Sequence, residues 1–166
     1  VGLGYQQTGV LEVADLVIVN TCTIRAKAEQ KAFSFLGRLA NLKIKNPGLI
    51  IGVGGCVAQQ EGEKILRRVP HIDLVFGTQA IDRLSLLIPK IESKRCRVVD
   101  VGLTEKPVRP AARPDRRPDG LVSTFVTIMR GCDNFCTYCV VPHVRGREVS
   151  RHPDRIMEEI RGLVQS

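Results

Sequence analysis

The sequence predicts an α/β protein: an open parallel sheet with helices on both faces, followed by the first strand and helix of a second unit. Two observations predict it. Short, continuous, β-branched apolar runs at residues 16–20 and 49–53 show the pattern of strands buried on both faces, and residues 73–76 and 97–101 read as two further strands. Between them the apolar residues change to steps of three and four, the period of an amphipathic helix. Strands alternating with helices imply parallel pairing through helical crossovers.

Each element follows from its residues. Residues 16–20 (LVIVN) form the first strand, which ends at Thr21 and Cys22. From residue 24 to about residue 45, Ala28, Ala32, Phe35, Leu39 and Leu42 mark one apolar helical stripe. Asn46, Pro47 and Gly48 stop that helix, because proline cannot continue it and glycine accepts the left-handed turn. The second strand, 49–53, runs into Gly54, Gly55 and Cys56. A helix over 60–69 closes at Pro70, and the strand at 73–76 closes at Gly77. A third helix over 80–92 places Ile81, Leu84, Leu87, Ile88 and Ile91 on its apolar side, before the strand at 97–101.

Beyond this the composition changes. Pro107, Pro110, Pro114 and Pro118 punctuate a stretch rich in Lys and Arg with no apolar period, which reads as a solvated interdomain linker over 102–120. Residues 123–129 alternate like a strand, a loop follows, and a helix starts near Pro153, a residue suited to a first helical turn. One strand, one loop and one helix cannot bury a core. The domain boundaries are therefore 1–101, 102–120 and 121–166, the last as the start of a larger domain. Val1 at the start and a helical pattern running to Ser166 read as cuts at both ends.

The chain of 166 residues carries a net charge of +8, which favours a polyanionic partner, nucleic acid first among them. A merely basic surface is the plain alternative. Aromatics are 4% with no Trp, too few for a base-stacking platform. No apolar stretch is long enough to span a bilayer and no signal segment opens the chain, so the expected setting is the reducing cytoplasm.

Six cysteines, at 22, 56, 96, 132, 136 and 139, are then available as thiol ligands rather than disulfides. Cys132, Cys136 and Cys139 place three thiols in eight residues, on a loop directly after a strand. Three thiolates can hold three irons of a four-iron cluster and leave the fourth open to a small molecule. The same thiols with His143 also fit a structural three-Cys, one-His zinc site. Cys22 and Cys56 each follow a strand of the parallel sheet, at the carboxyl edge where such sheets bind ligands. Either could equally be a small apolar filler. Gly52, Gly54 and Gly55 lack the third glycine of a dinucleotide fingerprint and read as room for a close backbone approach to a cluster. His71 and His152 read as surface residues. Arg145, Arg147 and Arg151 read as contacts to phosphate or carboxylate, or as a solvated charged loop.

The spacing Cys132-x-x-x-Cys136-x-x-Cys139, with Tyr138 inside it, resembles the radical S-adenosylmethionine signature. The resemblance implies a 4Fe–4S cluster on the three cysteines, its open iron chelating the amino and carboxylate groups of S-adenosylmethionine, with Tyr138 near the adenine. It also implies one-electron cleavage of that cofactor to a 5′-deoxyadenosyl radical, on a partial TIM-like barrel of which residues 123–129 would be the first strand.

Longer motifs, Asn20-Thr21-Cys22-Thr23-Ile24-Arg25, Gly54-Gly55-Cys56-Val57-Ala58-Gln59 and Pro142-x-x-Arg145-Gly146-x-Glu148-x-Ser150-Arg151, resemble the methylthiotransferase family nearly end to end. Residues 28–31, 35–38 and 60–62 favour its tRNA branch (the MiaB type). That branch adds a methylthio group at carbon 2 of an isopentenyl-modified adenosine beside the anticodon. The resemblance implies a second, auxiliary 4Fe–4S cluster on Cys22, Cys56 and a third cysteine upstream of Val1, with Cys96 incidental. It implies tRNA as partner, an electron donor such as flavodoxin or ferredoxin, no membrane, and a monomer. It assigns no residue of this chain as a catalytic acid or base. The alternatives are the branch acting on a ribosomal-protein aspartate, or a non-catalytic zinc or iron–sulfur binding module.

Overall fold

The computed structural model describes residues 3–23, 26–104 and 123–165. The expected linker lies almost wholly outside them, as do Ile24 and Arg25. Two compact units divide the chain, one over residues 2–103 and the other over 104–166 apart from Val1.

The first unit is a four-stranded sheet, β1 (Leu16–Thr21), β2 (Ile50–Gly55), β3 (Leu74–Phe76) and β4 (Val98–Asp100), in that spatial order and parallel throughout. Helices α1 (Ala26–Lys45), α2 (Cys56–Glu61), α3 (Glu63–Arg68) and α4 (Leu84–Lys94) connect them. Successive side chains of a strand point to opposite faces, and the core divides accordingly. Ile51, Val53 and Val75 pack with Leu36, Leu39, Val57, Ala58 and Ile65 of α1, α2 and α3. Ile50, Leu74 and Phe76 pack with Ile88 and Ile91 of α4. Helices thus cover both faces, and every strand expected from the sequence in this unit is present.

The helices differ in detail. The buried stripe of α1 centres on Leu36 and Leu39, and Ala28 is exposed. The helix turns this way because Lys43 is drawn inward: its Nζ donates to both Asp73 carboxylate oxygens, at 2.8 and 2.9 Å, and to the Leu49 carbonyl. The helix expected over 60–69 starts earlier, at Cys56, and is broken at Gly62, whose φ of +50° no helix accommodates. Ile81 is exposed, because residues Ala80–Arg83 form a 3-10 turn whose three-residue period shifts its side chain off the face of α4. His71 is half-buried rather than a surface residue, its Nε2–H donating to the Leu36 carbonyl at 2.7 Å.

In the second unit the strand expected over 123–129 is reduced to β5 (Met129–Arg130), paired antiparallel with β6 (Val149–Ser150). Residues 123–128 alternate in sequence, but among the described residues no strand pairs with them. A short helix, α5 (Val141–Arg145), and α6 (Pro153–Gln165) complete the unit. The sequence reading missed α5 and β6. Pro142 and Val144 are the buried apolar residues here among those described, and α6 buries none.

Gly54 faces α4, and a Cβ there would overlap the ring of Phe76. Gly54→Ala is expected to lower stability by about 1–3 kcal/mol through overpacking. In a urea-unfolding cycle its effect should couple to Phe76→Leu by more than about 0.5 kcal/mol. A second check uses pH. Arg83 donates to Asp100 at 2.6 and 2.7 Å and holds its carboxyl below the ordinary 3.8. A lowered carboxylate pKa stabilises the fold above the unfolded value, and that contribution is lost as pH falls through the folded one. Asp100→Asn should therefore flatten the loss of stability between about pH 5 and pH 1, measured by acid unfolding.

Candidate metal centres

The first candidate site begins at the end of the β1–β2 ladder. Thr21 stands opposite Gly55 in register, so Cys22 and Cys56, one residue further along each strand, leave the sheet side by side at its carboxyl edge. Thr21 Oγ1–H donates to the Gly54 carbonyl at 2.6 Å in a buried hydrogen bond that fixes this corner. Gly55 has φ +97°, and a Cβ there would overlap the Thr21 carbonyl and the Asn20 side chain. Only glycine lets β2 turn so closely against β1. Cys56 then opens α2 and is 6% exposed, whereas Cys22 is exposed.

The glycines do not all serve this edge. The space at Gly54 is filled by Phe76, and Gly52 makes ordinary contacts with Ile18 and Leu74, so neither is a backbone approach to a cluster. Gly55 alone shapes the cysteine corner. Gln59 was not expected to matter there. Its Nε2–H donates to the Val101 carbonyl at 2.5 Å and its Oε1 accepts from Thr78 N–H at 3.2 Å, joining the ends of β3 and β4. Cys96 lies away from this edge, half-exposed, beyond the end of α4.

The second candidate site is the loop between β5 and β6. Cys132 N–H donates to the Gly146 carbonyl at 3.2 Å, closing the neck of the loop, and Cys139 N–H donates to the Cys136 carbonyl at 2.9 Å. Gly131 has φ +74°, and a Cβ on it would run into the Arg147 carbonyl. Cys136 is exposed, Cys132 and Cys139 are half-exposed, and Tyr138 is 91% exposed. The ring of His143 meets the edge of Phe135, centroids 6.4 Å apart at 81°. Asp133 is held below its ordinary carboxyl pKa by the Glu148 backbone N–H and then by Arg147.

The three arginines beside the loop separate. Arg151 is buried, donating to the Thr127 carbonyl at 2.5 Å and to Glu159 at 2.5 Å, so it ties the approach to β5 onto α6. Neither a solvated residue nor a ligand contact, it is a structural tie. Arg147 pairs with Asp133 at 2.9 Å. His152 is exposed, as expected, and its Nδ1 lies 3.2 Å from an Asp154 carboxylate oxygen.

Among the described residues, no three or more Cys, His, Asp or Glu side chains converge on a single-ion site. A structural zinc site needs four ligands on one ion. In a four-iron cluster each thiolate binds a different iron. The thiols available here are three on one closed loop and two that follow adjacent register positions.

Comparison with known proteins agrees with the motifs. A family profile described as "Uncharacterized protein family UPF0004" matches residues 2–77. The tRNA-2-methylthio-N(6)-dimethylallyladenosine synthase of Syntrophotalea carbinolica is 51% identical over 163 residues, 98% of this chain and 37% of its own length. Proteins of the same name from Desulfosudis oleivorans and Enterobacter sp. strain 638 are 53% and 51% identical, over 98% and 96% of this chain and 35% and 33% of their own lengths. The chain is similar to these synthases over nearly its whole length. It spans a little over a third of the length of the curated relatives it matches, and the radical S-adenosylmethionine methylthiotransferase resemblance, in its tRNA branch, holds across nearly all of it.

Gly131→Ala combines an unfavourable φ with a backbone overlap. It is expected to open the neck of the loop, read as faster hydrogen exchange of the peptide spanning residues 131–139 with the β1–β2 edge unaffected.

Proposed function

We propose that the protein takes part in tRNA methylthiolation: the radical insertion of a methylthio group at carbon 2 of an isopentenyl-modified adenosine beside the anticodon. The observation that carries this reading is the three-thiol loop closed by Cys132 and Gly146, on a chain with a second pair of thiols, Cys22 and Cys56, aligned at a sheet edge. On this reading Cys132, Cys136 and Cys139 hold a 4Fe–4S cluster. Cys22 and Cys56 hold two irons of an auxiliary cluster, with a third ligand from outside this chain. When bound, the loop cluster supplies one electron to S-adenosylmethionine.

The chain's own residues then orient and expose. Tyr138, 91% exposed beside Cys139, offers an open aromatic face to the adenine of the cofactor. The open neighbourhood of Cys136 leaves room for a small molecule above the loop. Residues 1–101 form the auxiliary-cluster domain, 102–120 the linker and 121–166 the opening β–α unit of a TIM-like barrel. The tRNA anticodon loop is the macromolecular partner, with flavodoxin or ferredoxin as electron donor and the cytoplasm as the setting. Among the described residues no helix is long and apolar enough to cross a membrane. The names of the relatives do not favour the ribosomal-protein branch.

The test is anaerobic reconstitution of the full-length protein, followed by iron counting and visible absorption. Two clusters and a brown chromophore are expected. Cys22→Ser or Cys56→Ser should remove the iron of one cluster, Cys132→Ser that of the other, and Cys96→Ser neither. His143→Ala should retain iron and reductive cleavage of S-adenosylmethionine. Loss of metal on removing His143 alone, from a colourless site, would establish zinc instead.

A further inference from the structure

Phe135 is a non-glycine residue with φ +44°, placed between Cys132 and Cys136 in the thiol loop. A side chain held in the left-handed region persists only where its surroundings over-determine it. Burial does not, since Phe135 is 52% exposed. Its ring contacts are the same His143 ring and the guanidinium of Arg147, whose Cζ lies 5.8 Å from the ring centroid, a cation–π distance. Arg147 stands on the opposite arm of the loop and is held by Asp133. Its Nε–H donates to Oδ1 at 2.9 Å and its Nη2–H to Oδ2 at 3.4 Å, while the Glu148 N–H donates to the same Oδ1 at 3.0 Å. Asp133 directly follows Cys132, and Phe135 directly precedes Cys136. One guanidinium therefore touches the neighbours of two thiols.

We infer that Asp133, Arg147 and Phe135 form a brace that sets the spacing of Cys132 and Cys136, making all three positioning residues for the loop cluster. The inference rests on the proposed function for what the thiols hold, but not for the brace itself. The Asp133 and Arg147 side chains are 43% and 61% exposed. An exposed ion pair contributes little to overall stability, so the consequence of this one is local geometry. Arginine is required because only a planar fork can grip a carboxylate with two donors and still face a ring. Groups that orient metal ligands without touching the metal commonly change affinity or activity when removed.

The experiment uses the full-length protein with Asp133→Asn, Arg147→Lys and the double variant, read in two ways. In the apo protein, hydrogen exchange of the peptide spanning residues 131–139 should quicken in each single variant, and the double variant should be no faster. In the reconstituted protein, iron content and melting temperature should stay at the wild-type level. The electron paramagnetic resonance change on adding S-adenosylmethionine should be altered, and its affinity should weaken on the order of 10-fold. Unchanged exchange in both single variants, or additive effects in the double, would overturn the brace. An effect of Arg147→Lys without any effect of Asp133→Asn would also overturn it, and would make Arg147 a direct cofactor contact. If the wild-type protein takes up no iron, the proposed function falls, while the exchange data still decide the brace.

Discussion

The register of β1 on β2 is the constraint from which the first site follows. Thr21 pairs with Gly55, and parallel strands deliver their chain ends to the same edge, so Cys22 and Cys56 emerge as neighbours. A slip of one residue would move Cys56 along the strand axis, relative to Cys22, by about 3.3 Å. It would also turn Ile51 and Val53 away from α1 and Ile50 away from α4. The packing on both faces therefore enforces the thiol alignment. Neither the Thr21 hydroxyl on the Gly54 carbonyl nor the cradle at Gly55 would form in another register.

The thiol loop is held by different physics. Its unit has little core, and its shape comes from polar ties: Cys132 to Gly146 across the neck, Asp133 to Arg147 and Glu148, and Arg151 to Thr127 and Glu159. Hydrophobic burial positions whole elements, whereas directional bonds position single residues. A loop that must present three thiols outward cannot bury them, so directional bonds are what remains to shape it.

Legibility in the sequence divides along the same line. The central strands β2 and β3 are buried along their length, the edge strands β1 and β4 only in part, and all four were readable as strands. The periodic stripe of α1 was readable but not its phase, because Leu39 and Leu42 belong equally to the stripe through Ala28 and to the one through Leu36. What decides is Lys43 reaching Asp73, a contact thirty residues away in sequence. Residues 123–128 show the opposite failure: alternation states a willingness to pair, and pairing needs a neighbour. The cysteine spacing stands in the sequence itself, because residues close in the chain need no knowledge of the fold to be grouped. The partners of Gln59, Asp133 and Arg147 were not legible, since each acts on residues that only the folded chain brings near.

The same limit applies to charge. A net charge of +8 favours a polyanion at long range but does not say which residues meet it. Next to the thiol loop, Arg147 is paired with Asp133 and Arg151 is buried against Glu159. A phosphate approaching either would compete with a carboxylate already in place, and for Arg151 it would also have to enter a packed site. Basic residues near a reactive centre are readily taken for substrate contacts. Here two of them are occupied in shaping the loop and tying it to α6, so their first role is geometric.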